Sequence, residues 1–519
     1  MTRNASGVIL FPVSEGQDPF SRRTFLRGSL AGAAALAGGS VLASYGGGSA
    51  ANAARAGRSP RPLVVAQQPD PDSLLALQAS DAPIDTIVVV AMENRSFDHY
   101  LGWLGEDQAY LDAGRSRYGG DFGVDGMQKI TYKRSDGTPV QTEPLVASGK
   151  FLDPYSGCGY RDPGHGWGSG RVQLQKGFIA KGTGNDEFAL GYFGPDEILF
   201  QGSLARRFTV CDHYHSSLLG PTWVNREYIH SATSMGRKIS HAKVKPGEGT
   251  QETIWQRLAA AGVPAKSYYY DLPTLLFFGQ RMKPFIASGD HFLEDAAAGK
   301  LPNVVYIDPG FRLENRTNDH PWGDAGLGQR FLQEVFRAFV NSPHWERGLF
   351  VVTYDEWGGF FDHVRPPVFS DDHYSRNLND NFGQAGFRVP TLLASPYAQP
   401  GFADHTVYDH TSILRFIEWR FLGAPATGSS KPGSRWWLTK RDRNAANLGV
   451  SLRASNPDPE LRFAFDDSEP DLSTEMLVPC DKLVDVSKTE AEWGVDLDDE
   501  FLDLIDQDYD PATDLPWLE

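Results

Sequence analysis

Three short apolar runs constrain the fold more than any other feature of this sequence. They read IDTIVVVAM, LPNVVYID and GLFVVTYDE, and their apolar residues follow one another without polar alternation. Strands with this pattern are buried on both faces, as in parallel sheets that carry helices on each side. The segments 253–262, 328–342 and 410–423 have the composition and boundaries of helices. We therefore predict an α/β fold with a central, mostly parallel sheet and helices on both faces.

The N-terminal region has the pattern of an export signal. Residues 21–29 read SRRTFLRGS, and an apolar run rich in alanine and glycine follows the paired arginines. This order is typical of twin-arginine signals, so the export machinery of that route is an expected partner. A membrane anchor is the alternative, but the run is too short and glycine-rich to span a bilayer well. We expect no transmembrane segment after signal removal, and a location in the periplasm, the cell envelope or outside the cell.

Composition divides the chain into four parts. We predict a signal over residues 1–56, a linker over 57–80, a main domain over 81–450 with a loop-rich cap, and an acidic extension over 451–519 that packs on the core. The extension holds the acidic excess behind the formal net charge of −17. That charge argues against nucleic-acid binding through a broad basic surface. Cys158, Cys211 and Cys480 allow one disulfide after export and leave one thiol over.

Each of the three apolar runs ends in carboxylates. The first leads into Glu93 and Asn94, and the second ends at Asp308. The third ends in Asp355 and Glu356. Ligands of open parallel sheets bind outside the carboxyl ends of the strands, so these side chains are expected at one edge. Turn formation or helix capping explains any one of them alone, whereas the three together favour a divalent cation that cancels their repulsion.

Histidines in loops form a second group of candidates. His165 lies in the glycine-rich stretch RDPGHGWG, where a bulky imidazole has no packing role. Asp319 and His320 precede a proline in NDHPWGD, and His363 follows an aspartate in GGFFDHVRPP. A lone histidine is more often structural than functional. Asp-His pairs beside proline or glycine, in loops at the expected sheet edge, favour a functional interpretation.

Thr222 in GPTWVNREYIHS is the candidate nucleophile. Gly-Pro forms a turn before it, and a helix begins there, so an ordinary helix cap with Asn225 three residues on is one interpretation. The other uses the same geometry, because a helix N-terminus receives a phosphate. A threonine hydroxyl becomes a nucleophile when a metal or base takes its proton. Asn225 would then hold a phosphoryl oxygen.

The order of these motifs resembles the bacterial phosphoesterase family. The matching stretches are ENRSFDHYLG, DPGHGW, GPTWVNR, NDHP, TYDEWGGFFDHV and YDHTSILRFIEWRFL, and they span roughly residues 83–423. That family contains non-haemolytic phospholipases C and exported acid phosphatases, and belongs to the alkaline-phosphatase-like superfamily. The resemblance implies that residues 81–450 form a phosphoesterase catalytic domain of that fold.

The resemblance also implies roles for individual residues. A catalytic metal would be held by four residues that follow predicted strands: Glu93, Asn94, Asp355 and Glu356. Thr222 takes the place of the nucleophile, and His165 and His320 match histidines that contact the phosphoryl or leaving group. Three further residues would support this site from behind: Asn225, Asp319 and His363. Oxygen-dominated ligands do not select the metal, so calcium, manganese, magnesium, zinc and iron all stay open.

The expected function is hydrolysis of phosphate mono- or diesters by an exported, metal-dependent enzyme through a phosphothreonine intermediate. The substrate partner would be a phosphoester, either a phospholipid or a phosphomonoester. A sulfatase on the same fold is one alternative, but no cysteine lies in the C/S-x-P/A-x-R context that it needs. A non-catalytic, exported calcium-binding protein is the other alternative, and it leaves the histidines and Thr222 unexplained.

Overall fold

The computed structural model describes residues 62–63, 70–134, 136–240, 249–311, 316–428 and 435–463. The predicted export signal, and all but the first residues of the predicted acidic extension, lie outside the described residues. The strands, in chain order, are β1 (Thr86–Met92), β2 (Thr131–Lys133), β3 (Pro139–Gln141), β4 (Glu143–Pro144), β5 (Gly191–Tyr192), β6 (Thr209–Cys211), β7 (Ala265–Tyr269), β8 (Ile286–Ser288), β9 (Val304–Asp308), β10 (Gly348–Tyr354), β11 (Leu392–Ala394) and β12 (Phe402–Asp404).

An eight-stranded sheet has the order β12-β6-β11-β10-β1-β9-β7-β8. Neighbouring strands pair in parallel, except that β11 runs antiparallel to both β10 and β6. Every residue of β1 and of β10 is buried, so both faces of the central strands are covered. The unbroken apolar runs are explained by this double burial. The predicted α/β class with a mostly parallel sheet is confirmed.

The helices in chain order are α1 (Phe97–Tyr100), α2 (Gln108–Tyr118), α3 (Trp167–Lys176), α4 (Leu199–Arg207), α5 (Thr222–Ser231), α6 (Ile254–Ala260), α7 (Gly289–Ala297), α8 (Ala325–Val340), α9 (Thr411–Leu422) and α10 (Lys440–Arg443). Two of them, α6 and α9, lie within segments predicted from sequence, and α8 overlaps the third but begins three residues earlier. Local chemistry sets their ends. Thr253 and Gln256 form a capping box before α6, and Gly423 ends α9 with a φ of 76°.

The glycine-rich region between α2 and α4 has little of the sheet pattern. It contains two small two-stranded sheets, β2–β3 and β4–β5, together with α3. Its loops carry Asp162, His165 and Trp167 to the lining of a pocket at the sheet edge. The cap predicted from the high glycine content therefore contributes side chains to the candidate site.

Two further sequence expectations concern export. Among the described residues, no helix combines the length and the apolarity that crossing a membrane requires. Cys158 is disulfide-bonded, and Cys211 is a buried free thiol at the end of β6. One bridged and one free cysteine are what an odd cysteine count allows in an oxidising compartment.

Candidate active site

The carboxyl ends of β1 and β10 bring three of the predicted metal ligands together. The two strands pair in parallel, with Met92 opposite Tyr354. Glu93 and Asn94 therefore leave the sheet beside Asp355, and the backbone N–H of Asn94 donates to Asp355 Oδ1 at 3.2 Å. Asn94 has a φ of 61°, a left-handed conformation that asparagine adopts more readily than most residues. All of these side chains are buried.

Helix α5 delivers the candidate nucleophile to the same point. Thr222 is its first residue and follows the N-cap Pro221. The Thr222 hydroxyl donates to Glu93 Oε1 at 3.0 Å and lies 3.5 Å from Asn94 Oδ1. The hydroxyl is thus in direct contact with two of the four predicted ligands, although 128 and 129 positions separate them in the chain.

Burial raises the pKa of the carboxyl groups at this site. Desolvation, reinforced by the charge of Asp355, raises the pKa of Glu93 to about 8. Burial also raises the pKa of Asp355, and burial with the charge of Asp355 holds the pKa of Glu356 well above its ordinary value. Arg226 offsets part of this repulsion, because its Nε donates to Asp355 Oδ2 at 3.0 Å.

The donor set fits a divalent metal ion. Within the described residues, the buried Oε1 of Glu356 has no hydrogen-bond partner. An unsatisfied buried carboxylate oxygen is unfavourable, and coordination of a cation satisfies it. Glu93, Asn94 and Asp355 add further oxygen donors of the kind that hard cations prefer. These four residues would hold the ion, and their oxygen chemistry does not specify which ion it is.

Asp308, the carboxylate at the end of β9, does not join this set. Its Oδ1 accepts from Arg226 Nη1 at 3.3 Å and from the Thr274 hydroxyl at 2.9 Å. Burial raises the pKa of Asp308 to about 7, and Arg226 opposes that rise. The expectation that all three strand ends feed one ligand set is therefore corrected, since Asp308 instead positions the arginine that supports Asp355.

His165 lies next to the predicted ligands. Its Nδ1 donates to the carbonyl of Pro163 at 2.8 Å, which leaves Nε2 as the acceptor in the neutral ring. The Asn94 Nδ2 donates to this Nε2 at 3.4 Å. The imidazole is thus oriented by its own loop, with its second nitrogen at the ligand group.

His320 stands beside His165, with their ring centroids 5.8 Å apart. Its Nδ1 donates to the carbonyl of Pro321 at 3.0 Å, and its Nε2 lies 3.8 Å from Asp162 Oδ2. Burial first, and then the charge of Arg316, hold the pKa of His320 well below its ordinary value. The ligand atoms of Asp162, His165 and His320 lie within 4.8 Å of one another.

These side chains surround one pocket of about 380 Å³. Glu93, Thr222, His165 and His320 line it, whereas Asp355 and Glu356 are buried beneath. Its other lining residues come from the cap, the start of α5 and the turn after α5: Asp162, Pro163, Gly164, Gly166, Trp167, Pro221, Trp223, Lys238, Ile239 and Ser240. The pocket therefore joins the predicted nucleophile and both predicted histidines in one space.

Asn225 is placed differently from its predicted role. Its Oδ1 accepts from the Leu218 N–H at 2.8 Å, and its Nδ2 donates to the Gly220 carbonyl at 2.8 Å. These bonds hold the turn that carries Thr222. Because both ends of the amide are engaged there, a contact with a phosphoryl oxygen does not fit, and Asn225 is a positioning residue.

Asp319 and His363 also face away from the ligand group. Asp319 has a φ of 75°, and its Oδ2 accepts from the Tyr354 hydroxyl. His363 contacts Asp98 Oδ2 at 2.8 Å and Asp125 Oδ1 at 2.9 Å. Burial alone lowers the pKa of His363, but these two partners raise it to about 9. Neither residue has a hydrogen bond to a predicted ligand among the described contacts, so their support of the site from behind stays a prediction.

Several site residues escape the sequence reasoning. Asp162 and Asn318 precede the candidate histidines by three and two positions, and Asn318 Nδ2 donates to Glu93 Oε2. Arg226 lies one turn into α5, and its charge is the only feature of the sequence there that indicates a role in the site. His410 directly precedes α9, and its Nε2 donates to the Asp355 carbonyl at 2.6 Å. The sequence around these residues does not indicate such long-range contacts.

Comparison with known proteins shows the family of this chain. The chain belongs to the Phosphoesterase family, which matches residues 84–422. Non-specific phospholipase C5 of Arabidopsis thaliana is 32% identical over 415 residues, which cover 72% of this chain and 75% of the relative. Phospholipase C B of Mycobacterium tuberculosis is 29% identical over 393 residues, covering 66% and 74% of the two chains.

Two further similarities complete the comparison. Non-hemolytic phospholipase C of Pseudomonas aeruginosa is 28% identical over 434 residues, covering 73% of this chain and 58% of the relative. A solved structure of the lipoteichoic acid synthase LtaP from Listeria monocytogenes covers 75% of this chain and 79% of its own, with 8% identity and a TM-score of 0.34. Family membership makes this protein a hydrolase of phosphoric esters.

Proposed function

We propose that this protein is an exported, metal-dependent phosphoesterase of phospholipase C type that works through a phosphothreonine intermediate at Thr222. The observation that carries the proposal is the Thr222 hydroxyl, which donates to Glu93 Oε1 at 3.0 Å on the wall of a pocket lined by His165 and His320. A hydroxyl at a helix N-terminus, beside carboxylates with raised pKa values, has both a proton acceptor and a site for phosphate.

The first half of the reaction breaks the ester bond. Glu93 Oε1 accepts the hydroxyl proton of Thr222, and the threonine oxygen attacks the phosphorus. The bond from phosphorus to the leaving oxygen breaks, and that oxygen leaves as an alkoxide that takes a proton from a pocket histidine. A divalent ion at the strand ends would lower the pKa of the hydroxyl and neutralise phosphoryl charge. In the second half, water gives a proton to that histidine and attacks the phosphorus. The bond from phosphorus to the Thr222 oxygen breaks, and this oxygen takes its proton back from Glu93.

A diester with an apolar alcohol is the favoured substrate class. The turn after α5 exposes Met235 and Ile239, which are 55% and 54% exposed, and Ile239 also lines the pocket. Trp167 and Trp223 add aromatic surface to the same lining. An apolar rim next to a phosphate site fits a lipid better than a small polar monoester. The relatives named phospholipase C support the same choice, with diglyceride and a phosphorylated head group as products.

The test compares three substrates in a metal-replete assay: phosphatidylcholine, a phosphodiester dye and a phosphomonoester dye. We expect diester hydrolysis by the natural chain, and a loss of roughly three or more orders of magnitude in Thr222→Ala. Thr222→Ser is the matched control and should keep a measurable rate because it retains a hydroxyl. Acid quenching during turnover of phosphatidylcholine should trap phosphocholine on the peptide that contains Thr222. Near-normal turnover by Thr222→Ala would refute the nucleophile.

Chelation separates the enzyme from the calcium-binding alternative. We expect a chelator to abolish hydrolysis while the circular dichroism spectrum stays unchanged, and added divalent ions to restore the rate. Unfolding in chelator, with no hydrolysis detected under any metal, would support a structural cation site instead.

Export follows from the paired arginines of residues 21–29. Replacing both arginines with lysine should retain the precursor inside the cell.

A further inference from the structure

Two Asp-His pairs follow neighbouring strands at one end of the sheet. Asp212 and His213 come directly after β6, and Asp404 and His405 come at the end of β12 and just beyond it. The two strands pair in parallel with Cys211 opposite Asp404. Their carboxyl ends therefore lie side by side, on the same edge as the active site but separated from β10 by β11. None of these residues lines the catalytic pocket.

The side chains of Asp212, His213 and His405 converge, whereas Asp404 accepts from the Tyr408 hydroxyl at 2.7 Å. His405 Nδ1 lies 2.8 Å from Asp212 Oδ1 and 2.9 Å from Asp212 Oδ2. His213 Nε2 lies 3.1 Å from Asp125 Oδ2, and the Asp125 N–H donates to Asp212 Oδ2 at 2.8 Å. Ligand atoms of Asp212, His213 and His405 all lie within 4.8 Å of one another. Two imidazoles and the Asp212 carboxylate thus lie around a common point, and the Asp125 carboxylate contacts one of these imidazoles.

The carboxylates of this group pair with histidines, and among the described residues no arginine or lysine forms an ion pair with them. The Asp212 side chain is fully buried, and its ion-pair partner among the described residues is His405. Arg388 passes close by, but it donates only to the backbone carbonyls of Asp212 and Asp125, at 2.8 and 2.7 Å. Its side-chain ion pairs are with Asp98 and Asp362 instead. A buried carboxylate without a permanent cation partner is unfavourable.

Access and orientation also suit a bound ion. The His405 side chain is 55% exposed and that of Asp125 is 37% exposed, so an ion can enter from solvent. The second oxygen of Asp125, Oδ1, contacts His363 Nε2 at 2.9 Å. Such outer hydrogen bonds orient a carboxylate ligand and leave the other oxygen toward the metal.

We propose that Asp125, Asp212, His213 and His405 form a second metal site, distinct from the catalytic one, which binds a divalent transition metal ion and cross-links the ends of β6 and β12. Mixed imidazole and carboxylate donors favour zinc and its neighbours over calcium or magnesium. The role is structural. Strand β12 has three residues and pairs with β6 at the end of the sheet, so few hydrogen bonds hold it. An ion shared by both strand ends would fix it in place.

Zinc is the probe for the test. The full chain, His405→Gln and His213→Gln are dialysed against micromolar free zinc, and bound metal is counted by mass spectrometry. His291→Gln is the matched control, since this exposed histidine contacts Ser288 at the opposite end of the sheet. We expect each site variant to hold one zinc equivalent less per chain than the natural protein and the control. The catalytic ion is common to all four chains and cancels in the comparison.

Two further readings keep the test decisive. Hydrolysis of a phosphodiester dye should be unchanged in His405→Gln, whose side chain is exposed and packs no core. The rise in Tm on adding zinc should be smaller in both site variants than in the control. Equal zinc counts in all folded chains would overturn the proposal and leave the cluster as ordinary Asp-His ion pairs. A lost zinc equivalent together with lost activity in His405→Gln would overturn its separation from the catalytic site.

Discussion

The roles of single residues at the site depend on atoms that the fold brings to them. These residues are Thr222, the two pocket histidines and the four predicted metal ligands. Each histidine has its Nδ1 tied to a backbone carbonyl, of Pro163 for His165 and of Pro321 for His320. The tie fixes the ring and directs Nε2 to the site. Burial, with the charge of Arg316, holds the pKa of His320 well below its ordinary value.

Histidine variants should reveal which ring protonates the leaving group. A nitrophenolate leaves without a proton, whereas the alkoxide of a diglyceride requires one. We expect the variant that lacks the proton donor, His165→Asn or His320→Asn, to lose about 10²- to 10⁴-fold in kcat on phosphatidylcholine and far less on a nitrophenyl phosphodiester. The other variant should lose similar factors on both substrates. Equal losses on both substrates for both variants would exclude proton donation by either ring.

At the scale of elements, the turn after β10 limits what can stand beside Asn94. Gly358 has a φ of 63°, and a Cβ at that position would collide with the backbone carbonyl of Asn94. The close approach lets the turn from β10 pass against the end of β1. The ligand group therefore depends on the glycine turn after β10 as well as on the ends of β1 and β10.

Gly358→Ala tests this packing. We expect at least a tenfold loss of kcat/KM, since the turn displaces Asn94, together with a lower free energy of unfolding. Gly423→Ala is the matched control: Gly423 has a φ of 76°, and a Cβ there would meet no atom of the described residues within 4 Å. This control should lose only the left-handed strain of about 1–2 kcal/mol in stability and keep normal activity. Unchanged kinetics in Gly358→Ala would show that the close contact is not needed.

The turn after α5 is the element expected to meet a lipid surface. We expect Met235→Ser with Ile239→Ser to lower hydrolysis of phosphatidylcholine vesicles several-fold, because apolar side chains contribute to insertion at the interface. Hydrolysis of a soluble phosphodiester dye should not change. Leu327→Ser, which replaces a 42% exposed leucine on α8, is the control and should behave as the natural chain does. Equal loss on vesicle and dye would place these residues in catalysis or stability instead.

For the whole molecule, the pH dependence of stability comes from buried groups whose ionised form is unfavourable in the core. His230 is buried, its Nδ1 accepts from Trp255 Nε1 at 3.2 Å, and burial with the charge of Arg226 lowers its pKa to about 3. An unfolded chain has a histidine pKa near 6.5. Between about pH 6.5 and 3 the unfolded state therefore binds the extra proton, and stability falls as the pH falls.

His230→Gln should remove this contribution. We expect the free energy of unfolding of the natural chain to fall more steeply between about pH 6 and 4, by up to about 1.4 kcal/mol per pH unit, than that of the variant. Denaturant titrations across this range measure the slopes, and carboxylate contributions common to both chains cancel. His291→Gln, which changes an exposed histidine, should keep the natural slope. Parallel slopes in the natural chain and His230→Gln would contradict a neutral buried ring.

Sequence by itself predicted the central strands, three helices and the residues that meet at the strand ends. Apolar runs without alternation require strands covered on both faces, and caps such as Thr253 and Gly423 end helices by local chemistry alone. The motifs at Glu93, Thr222 and Asp355 were found because each combines a strand or helix end with a reactive side chain.

Only the tertiary structure decided which polar residues meet. Asp308 and Asp355 look alike in sequence and both contact Arg226, yet Asp308 accepts from the Thr274 hydroxyl whereas Asp355 accepts from the Asn94 N–H. His363 resembles His320, yet it joins Asp98 and Asp125 elsewhere. The physical reason is that these contacts form between side chains far apart in the chain, where burial and the nearest countercharge fix each role. Local pattern carries no information about either, so the chain had to fold before those partners could be identified.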